Sequence, residues 1–356
     1  MKTALRQRAW ELGFDACRVT TAAPPDTAPR FEAWLAAGRH GEMAYLARNT
    51  ALRLDPRLLL PGARSVVTLA VSYFVNPVAP HEPYALTPRN NTPSGAPSPH
   101  GQIARYARYH DYHRAMAQPL AELAAFINAL DAPATRSVAC ADAGPVLERD
   151  MAQRAGLGFV GKHTNLVSRQ LGNWFFLAEI LTTLELEPDP AQPNRCGACT
   201  RCLESCPTGA LVAPFQLDAR RCLSYLTIEL KGPIPTELRP AIGNRIFGCD
   251  DCLSACPWNR FARAGRLMGR HGRPDLAEPR LLDLLALDDA MFRRRFADTP
   301  LARAKRRGLL RNVCVALGNV GTGDSLPALE RATHDPEPLV AEHARWAVNR
   351  LERVES

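Results

Sequence analysis

Eight cysteines between residues 196 and 256 constrain this chain more than any other feature. Cys196, Cys199, Cys202 and Cys206 precede Pro207 in a C-x2-C-x2-C-x3-C-P run, and Cys249, Cys252 and Cys256 precede Pro257. The first spacing is that of bacterial ferredoxins, in which three cysteines hold one 4Fe–4S cluster and the fourth reaches across to the other. The second run carries the last three positions of the same pattern, and Cys222, between the runs, can supply the missing ligand. Eight thiolates then make two sites: Cys196, Cys199, Cys202 and Cys256 in one, and Cys206, Cys222, Cys249 and Cys252 in the other. Structural zinc is the simpler reading of paired C-x2-C knuckles. The third cysteine at x2 spacing, the two Cys-Pro ends and the total of eight favour clusters. A disulfide framework is disfavoured, because these spacings crowd thiols too closely and no secretory segment precedes them.

At 356 residues the chain has room for two or three domains. The first sixteen residues read as an amphipathic helix without a signal h-region or twin-arginine start, and no apolar run is long enough to span a membrane. With thiolate clusters, this implies a reducing cytoplasm. Cys17, Cys140 and Cys314 are left over and read as small buried hydrophobes. Charge is unevenly placed. Between Arg293 and Arg311 eight basic residues face one acid, Asp298, so this block accounts for nearly all of the net charge of +8. It suggests an electrostatic footprint for phosphates, against the plainer reading of a solvated helix face.

Residues 1–190 read as an α/β domain, with strand patterns at Ser65–Tyr73, Arg136–Cys140 and Trp174–Thr183 and helical patterns at His113–Leu130 and Pro145–Ala155. The proline-rich stretch Pro77–Gly101 reads as a long mobile loop. Residues 191–264 form the cysteine module, whose short loops would be held by metal. Residues 265–356 are helical, with patterns at Gly308–Asn319, Ser325–His334 and Pro338–Leu351. They read as a partial HEAT-type array, too short to stand alone and therefore expected to pack on the body; a plain helical cap is the alternative.

Gly156, Gly158 and Gly161 match G-x-G-x-x-G, and with Lys162 and His163 they nearly match a Walker A loop. Both motifs need a strand before and a helix after. Here the order is reversed, so the glycines read as a close backbone approach to some other large ligand. Asp142 follows an apolar segment and precedes Gly144-Pro145. It could donate a proton, or it could simply cap the following helix. Asp111-Tyr112-His113 offers polar side chains without independent specificity.

Several stretches together resemble the epoxyqueuosine reductase family: LDPRLLLPGARSVVTLAVSY, ARYARYHDYH, DAGPVLERDMAQRAGLGFVGKHTNLV, CGACTRCLESCPTGAL, RRCLSYLTIELKGPIP, GCDDCLSACPWNRF and RRGLLRNVCVALGN. The resemblance implies a cobalamin-binding α/β domain of reductive-dehalogenase type, a ferredoxin-like two-cluster module and a HEAT-like tail. It also implies reduction of the epoxide of a modified tRNA wobble base to an alkene. On this resemblance Asp142 stands at the proton-donor position and the eight cysteines at the cluster positions. Arg53, Lys162, Asn165, Ser224 and Thr227 fall, with Asp142, where cobalamin is held. Lys231, Arg303, Arg306, Arg307 and Arg311 fall where tRNA is held. Two departures are visible: Tyr109 stands where glycine is expected, and the Pro77–Gly101 loop is long. Asp111-Tyr112-His113 lacks the glycine of the D-x-H-x-x-G motif, which argues against histidine ligation of cobalt.

The implied chemistry is coherent. No side chain supplies a low-potential electron, so a cofactor must carry the reduction while protein orients and protonates. Reduced cobalt would attack an epoxide carbon, Asp142 would protonate the oxygen, and clusters fed by a low-potential electron donor would recharge cobalt. A monomer is expected. The rivals are a corrinoid reductive dehalogenase, disfavoured by the basic tail and the lack of an export signal, a ferredoxin-like electron carrier, and an iron–sulfur tRNA-binding protein without turnover.

Overall fold

The computed structural model describes residues 1–75, 99–131, 133–142 and 144–355. Four strands form the main sheet: β1 (Ala16–Thr21), β2 (Ser65–Ser72), β3 (Ser137–Cys140) and β4 (Phe175–Thr182). Their spatial order is β1-β2-β4-β3 and every neighbouring pair is antiparallel. The α/β composition is as expected from the sequence, but this sheet has no parallel crossover. Every residue of β2 is buried, because helices cover both faces, and this explains its unbroken apolar run.

On one face α1 (Lys2–Glu11) and α2 (Tyr112–Ala129) bury Leu5, Ala9, Met116, Leu120 and Leu123 against Val67, Leu69, Val71 and Ile180. On the other, α3 (Glu148–Arg154) lays Met151 and Ala152 over Val66, Ala70, Leu177 and Leu181. Strand alternation places Thr68 and Glu179, which are register partners, on this second face. Strand β1 escapes sequence reading because ACRVTT is short and carries an arginine.

The cysteine-bearing segment has little regular structure. Its elements include the one-turn helices Arg201–Glu204 and Asp251–Ser254, and a π-helical turn, Tyr225–Glu229, just after Cys222. The tail contains α4 (Lys305–Val320), Leu326–Ala332 and α5 (Pro338–Glu355). Its core is continuous with the centre of the chain: Leu309, Leu310 and Val313 share one apolar cluster with Ile103, Ile228, Ile246 and Phe247.

A polar clamp reinforces that contact. The buried Arg311 donates to the carbonyls of Leu226, Leu230 and Gly232 at 2.6, 2.8 and 2.7 Å. Asn312 donates to the carbonyls of Thr227 and Ile246, each at 2.8 Å. Among the described residues no helix is long and apolar enough to cross a membrane. The Pro77–Gly101 loop lies, up to residue 98, outside the described residues.

Candidate functional site

The fold gathers the eight cysteines into two quartets. Burial, then the thiols of Cys196, Cys256 and Cys199, push Cys202 up to about 11. Cys256 is raised by burial and, more weakly, by Cys196 and Cys199. In the other quartet burial, then Cys249, Cys222 and Cys206, hold Cys252 well above the ordinary thiol range. Cys222 is raised chiefly by burial and feels Cys206, and Cys249 is raised by burial, by Asp251 and by Cys222. Binding iron here must therefore displace protons. Backbone N–H groups already point at sulfur: Lys162 to Cys196 Sγ at 3.4 Å and Ala210 to Cys206 Sγ at 3.3 Å. Such bonds tune cluster potential. Among the described residues no three His, Cys, Asp or Glu side chains are grouped to hold a single metal ion.

Asp142 stands just beyond the end of β3 in a left-handed conformation, φ 55°, a strain that aspartate tolerates better than most residues. It is no helix cap: α3 begins six residues later, at Glu148, behind Leu147 with no side-chain cap. Its carboxylate is 54% exposed. The Tyr112 hydroxyl donates a short hydrogen bond to Asp142 Oδ2, and Tyr112 is fixed by stacking on Phe176 at 4.1 Å. His113 Nε2 lies 3.8 Å from the same oxygen, while its Nδ1 meets Asp111 Oδ1 at 2.9 Å. The sequence marked the D-Y-H triplet without assigning it a role. Its partnership with Asp142 spans thirty residues and becomes visible only when α2 packs beside β3. Gly144 closes the Asp142 turn so tightly on Cys140 that a Cβ there would lie 2.6 Å from Cys140 Cβ and 2.7 Å from Sγ. Gly144→Ala should cost about 1–3 kcal/mol by overpacking, read by denaturant unfolding.

Two acids stand behind Asp142. Burial and the Asp142 carboxylate push Glu148 up to about 7, against the arginines Arg149 and Arg53. Glu179 is fully buried, neither oxygen has a hydrogen-bond partner, and burial then Glu148 and Asp142 hold it well above the carboxylate range. The mouth of the site is marked by Tyr45, 38% exposed, whose electrostatic neighbours are Glu229, Arg303, Asp142 and Arg53.

Other residues chosen from the sequence fall differently. Arg53 reaches the Gly144 carbonyl at 3.4 Å and keeps a buried Nε without a partner. Lys162 faces the cysteine segment, donating from Nζ to the Cys199 carbonyl at 3.0 Å, so its amine is already engaged. The loop ending at Asn165 is pinned to Arg149, which donates to the Thr164 carbonyl at 2.8 Å. Ser224 Oγ donates to the Cys249 carbonyl at 3.4 Å.

Thr227 is a correction. Fully buried, it donates its one proton to the Leu223 carbonyl and accepts from Gly248 N–H, so it offers no exposed surface and no free donor to a corrinoid. Arg311 is another, because its 1% exposure leaves nothing for phosphate. Arg306 is a third: it pairs with the half-buried Asp335 at 2.5 Å. Lys231, Arg303 and Lys305 are exposed and act on one another electrostatically, and Arg307 is partly exposed.

The glycine loop takes protein backbone. A Cβ at Gly156 would meet the Pro190 carbonyl oxygen at 2.2 Å, and one at Gly158 that of Val167 at 2.3 Å. Tyr109 is buried in the core with its hydroxyl donating to the Tyr73 carbonyl at 2.6 Å.

Residues 195–259 match the family model described as a 4Fe-4S double cluster binding domain, which decides between clusters and zinc. A two-quartet thiol module joined to a sheet that presents a held carboxylate defines an iron–sulfur oxidoreductase. Residues 53–143 match the family model described as Epoxyqueuosine reductase QueG, DUF1730. The chain is 41% identical over 348 residues to the epoxyqueuosine reductase of Xanthomonas campestris, covering 97% of this chain and 94% of that one. It is 37% identical to that of Escherichia coli, covering 97% and 88%. A crystal structure of epoxyqueuosine reductase with an epoxyqueuosine-modified tRNA-Tyr stem loop superposes with TM-score 0.86 and 31% identity, covering 98% of this chain and 90% of that one. The chain belongs to the epoxyqueuosine reductase family.

Proposed function

We propose that this protein reduces epoxyqueuosine to queuosine at the wobble position of tRNA, with Asp142 as proton donor, cobalamin as the reactive cofactor and two 4Fe–4S clusters as its electron supply. The observation that carries the role of Asp142 is its exposed carboxylate, held by Tyr112 at the mouth of the site. Support comes from a similar structure, the epoxyqueuosine reductase of Bacillus subtilis with its aspartate-bearing catalytic loop swung out of the active site. The left-handed turn and close-packed Gly144 make Asp142 a loop-borne group of that kind.

The surroundings fit a corrinoid. Arg53 offers a buried Nε without a partner, a donor for an amide carbonyl on the corrin rim, and Tyr45 offers an exposed ring beside it. When bound, cobalamin would supply a strongly nucleophilic reduced metal, recharged one electron at a time. The protein's own part is to hold the substrate epoxide near Asp142 and protonate the oxygen as charge develops there. Tyr112 orients the donor oxygen, and its own proton stays in place because burial and Asp142 raise its phenol further. Cys196, Cys199, Cys202 and Cys256 would hold one cluster, and Cys206, Cys222, Cys249 and Cys252 the other. The test is direct: anaerobic protein with cobalamin and tRNA from cells lacking the enzyme should convert epoxyqueuosine to queuosine, read by nucleoside mass spectrometry.

The tRNA would lie along the edge formed by Lys231, Arg303 and Lys305, since Tyr45 has both Arg303 and Asp142 among its neighbours. Replacing the three with Ala should reduce the salt slope of log K by about 0.7–0.9 per lost phosphate contact. Arg311→Ala should instead leave that slope unchanged and lower stability by about 2–4 kcal/mol, because it orphans three carbonyls.

A further inference from the structure

Each epoxide reduced to an alkene consumes two electrons, which an outside donor must hand to the clusters one at a time. Such a donor can reach a cluster only where one lies near the surface. The two cages differ in this respect. The second is walled by Leu223, Phe247 and Gly248, all buried. The first is built on a loop whose Gly197, Ala198 and Thr200 are exposed, and a Cβ at Gly197 would meet nothing within 4 Å.

Beside that loop stands a feature which neither the fold nor the chemistry at Asp142 uses. The hairpin of Leu211–Ala213 and Gln216–Leu217 turns through Pro214 and Phe215. Phe215 has φ 65°, a left-handed conformation in which a bulky side chain is strained. It is 38% exposed, and Val212 on the same hairpin is 44% exposed. A tip of this kind ordinarily takes glycine or asparagine. Lys162 fixes the tip to the first cage. Its carbonyl accepts from Phe215 N–H at 2.9 Å, its own N–H points at Cys196 Sγ at 3.4 Å, and its amine donates to the Cys199 carbonyl at 3.0 Å. A single residue thus ties the exposed phenylalanine to the Cys196 and Cys199 positions.

The surroundings are basic. Arg195 and Arg201, both exposed, flank the loop in sequence, and Arg39 donates to Gln216 Oε1 on the hairpin at 3.2 Å. Against them stand Glu204, which accepts from the Thr200 hydroxyl at 2.5 Å, and Asp218, which Arg220 already neutralises at 2.7 Å. A small apolar centre within a positive rim suits a brief encounter steered by charge. On the two-cluster reading above, we infer that Phe215 and loop 197–200, rimmed by Arg195 and Arg201, dock a small acidic protein that carries single low-potential electrons. In each encounter the carrier is oxidised by one electron and the cluster held by Cys196, Cys199, Cys202 and Cys256 is reduced by one. No bond is made or broken, and two encounters serve one epoxide.

The test uses the full chain with its clusters, cobalamin and substrate tRNA, driven by either of two reductants. One is an acidic 2Fe–2S ferredoxin, reduced beforehand and freed of its reductant. The other is reduced methyl viologen, a small dication that needs no docking surface. Arg195→Glu combined with Arg201→Glu should lower kcat/KM for the ferredoxin about 10–100-fold at low salt, and the loss should shrink as salt rises. With viologen the same variant should match its parent. Phe215→Asn relaxes the turn, so it should keep or raise thermal stability while raising the KM for ferredoxin several-fold. Calorimetry without turnover should show oxidised ferredoxin binding to the parent and not to the charge-reversed variant. Ferredoxin binding and turnover unchanged in both variants would refute the docking surface. So would a charge reversal that slows both reductants alike, or one that weakens tRNA affinity and spares the ferredoxin. A parent that converts no epoxyqueuosine even with viologen overturns the functional reading, whereas a parent served by viologen and not by ferredoxin overturns the docking surface alone.

Discussion

Asp142→Asn should bind cobalamin and tRNA normally and turn over about 10²–10⁴-fold more slowly, the usual scale for removing a general acid. The amide is nearly isosteric, and the Tyr112 hydroxyl can still donate to its carbonyl oxygen, so the left-handed turn should survive. What the amide lacks is a proton it can release. Tyr112→Phe should cost less, because it loosens the donor without removing it. Turnover by Asp142→Asn within a few-fold of the parent would remove Asp142 from the chemistry. Measured side by side, epoxyqueuosine conversion and equilibrium binding separate that outcome from misfolding.

Cys222→Ser should abolish conversion altogether. Cys222 sits with Cys206, Cys249 and Cys252, outside both C-x2-C runs, and an alcohol is a poor ligand for iron. Iron should fall from about eight to about four atoms per chain, leaving the Cys196 site filled. The mixed provenance of each quartet makes the variant informative, because Cys206 belongs in sequence to one run and in space to the other. Full iron and sulfide in Cys222→Ser would refute the quartet containing it.

What could be read from the sequence, and what could not, follows the range of the interactions. The cysteine spacing encodes a local geometry, so a double-cluster module was legible in advance. So were β2 and β4, whose apolar runs need no partner to be recognised, and the short SVAC segment of β3. Side chains whose role depends on distant neighbours were not. Arg306 and Arg311 look in sequence like any basic residues of an exposed helix, yet one pairs with Asp335 and the other enters the π-helical turn. Glu179 lies inside the apolar run FFLAEILT, where nothing local distinguishes a buried acid from a solvent-facing one. Its meaning comes from Thr68, Cys140 and Glu148, which the chain supplies from three other places. The glycine loop misled for the opposite reason: its spacing is specific, but the crowding that requires it comes from Pro190 and Val167.

The Arg311–Asn312 clamp also has a bearing on how the protein is born. The loops that present Cys222 and Cys249 are fastened by side chains from α4, some sixty to ninety residues later in translation. A nascent chain released only as far as Phe261 therefore carries all eight cluster cysteines, the two runs and their Cys222 partner, while lacking the brace that shapes the second cage. Cluster loading should accordingly be a late step in biogenesis, completed after the ribosome has delivered the tail. A truncation placed after Cys256, the last cysteine of the two runs, would then yield a ferredoxin-like fragment able to mature at its first site and not at its second.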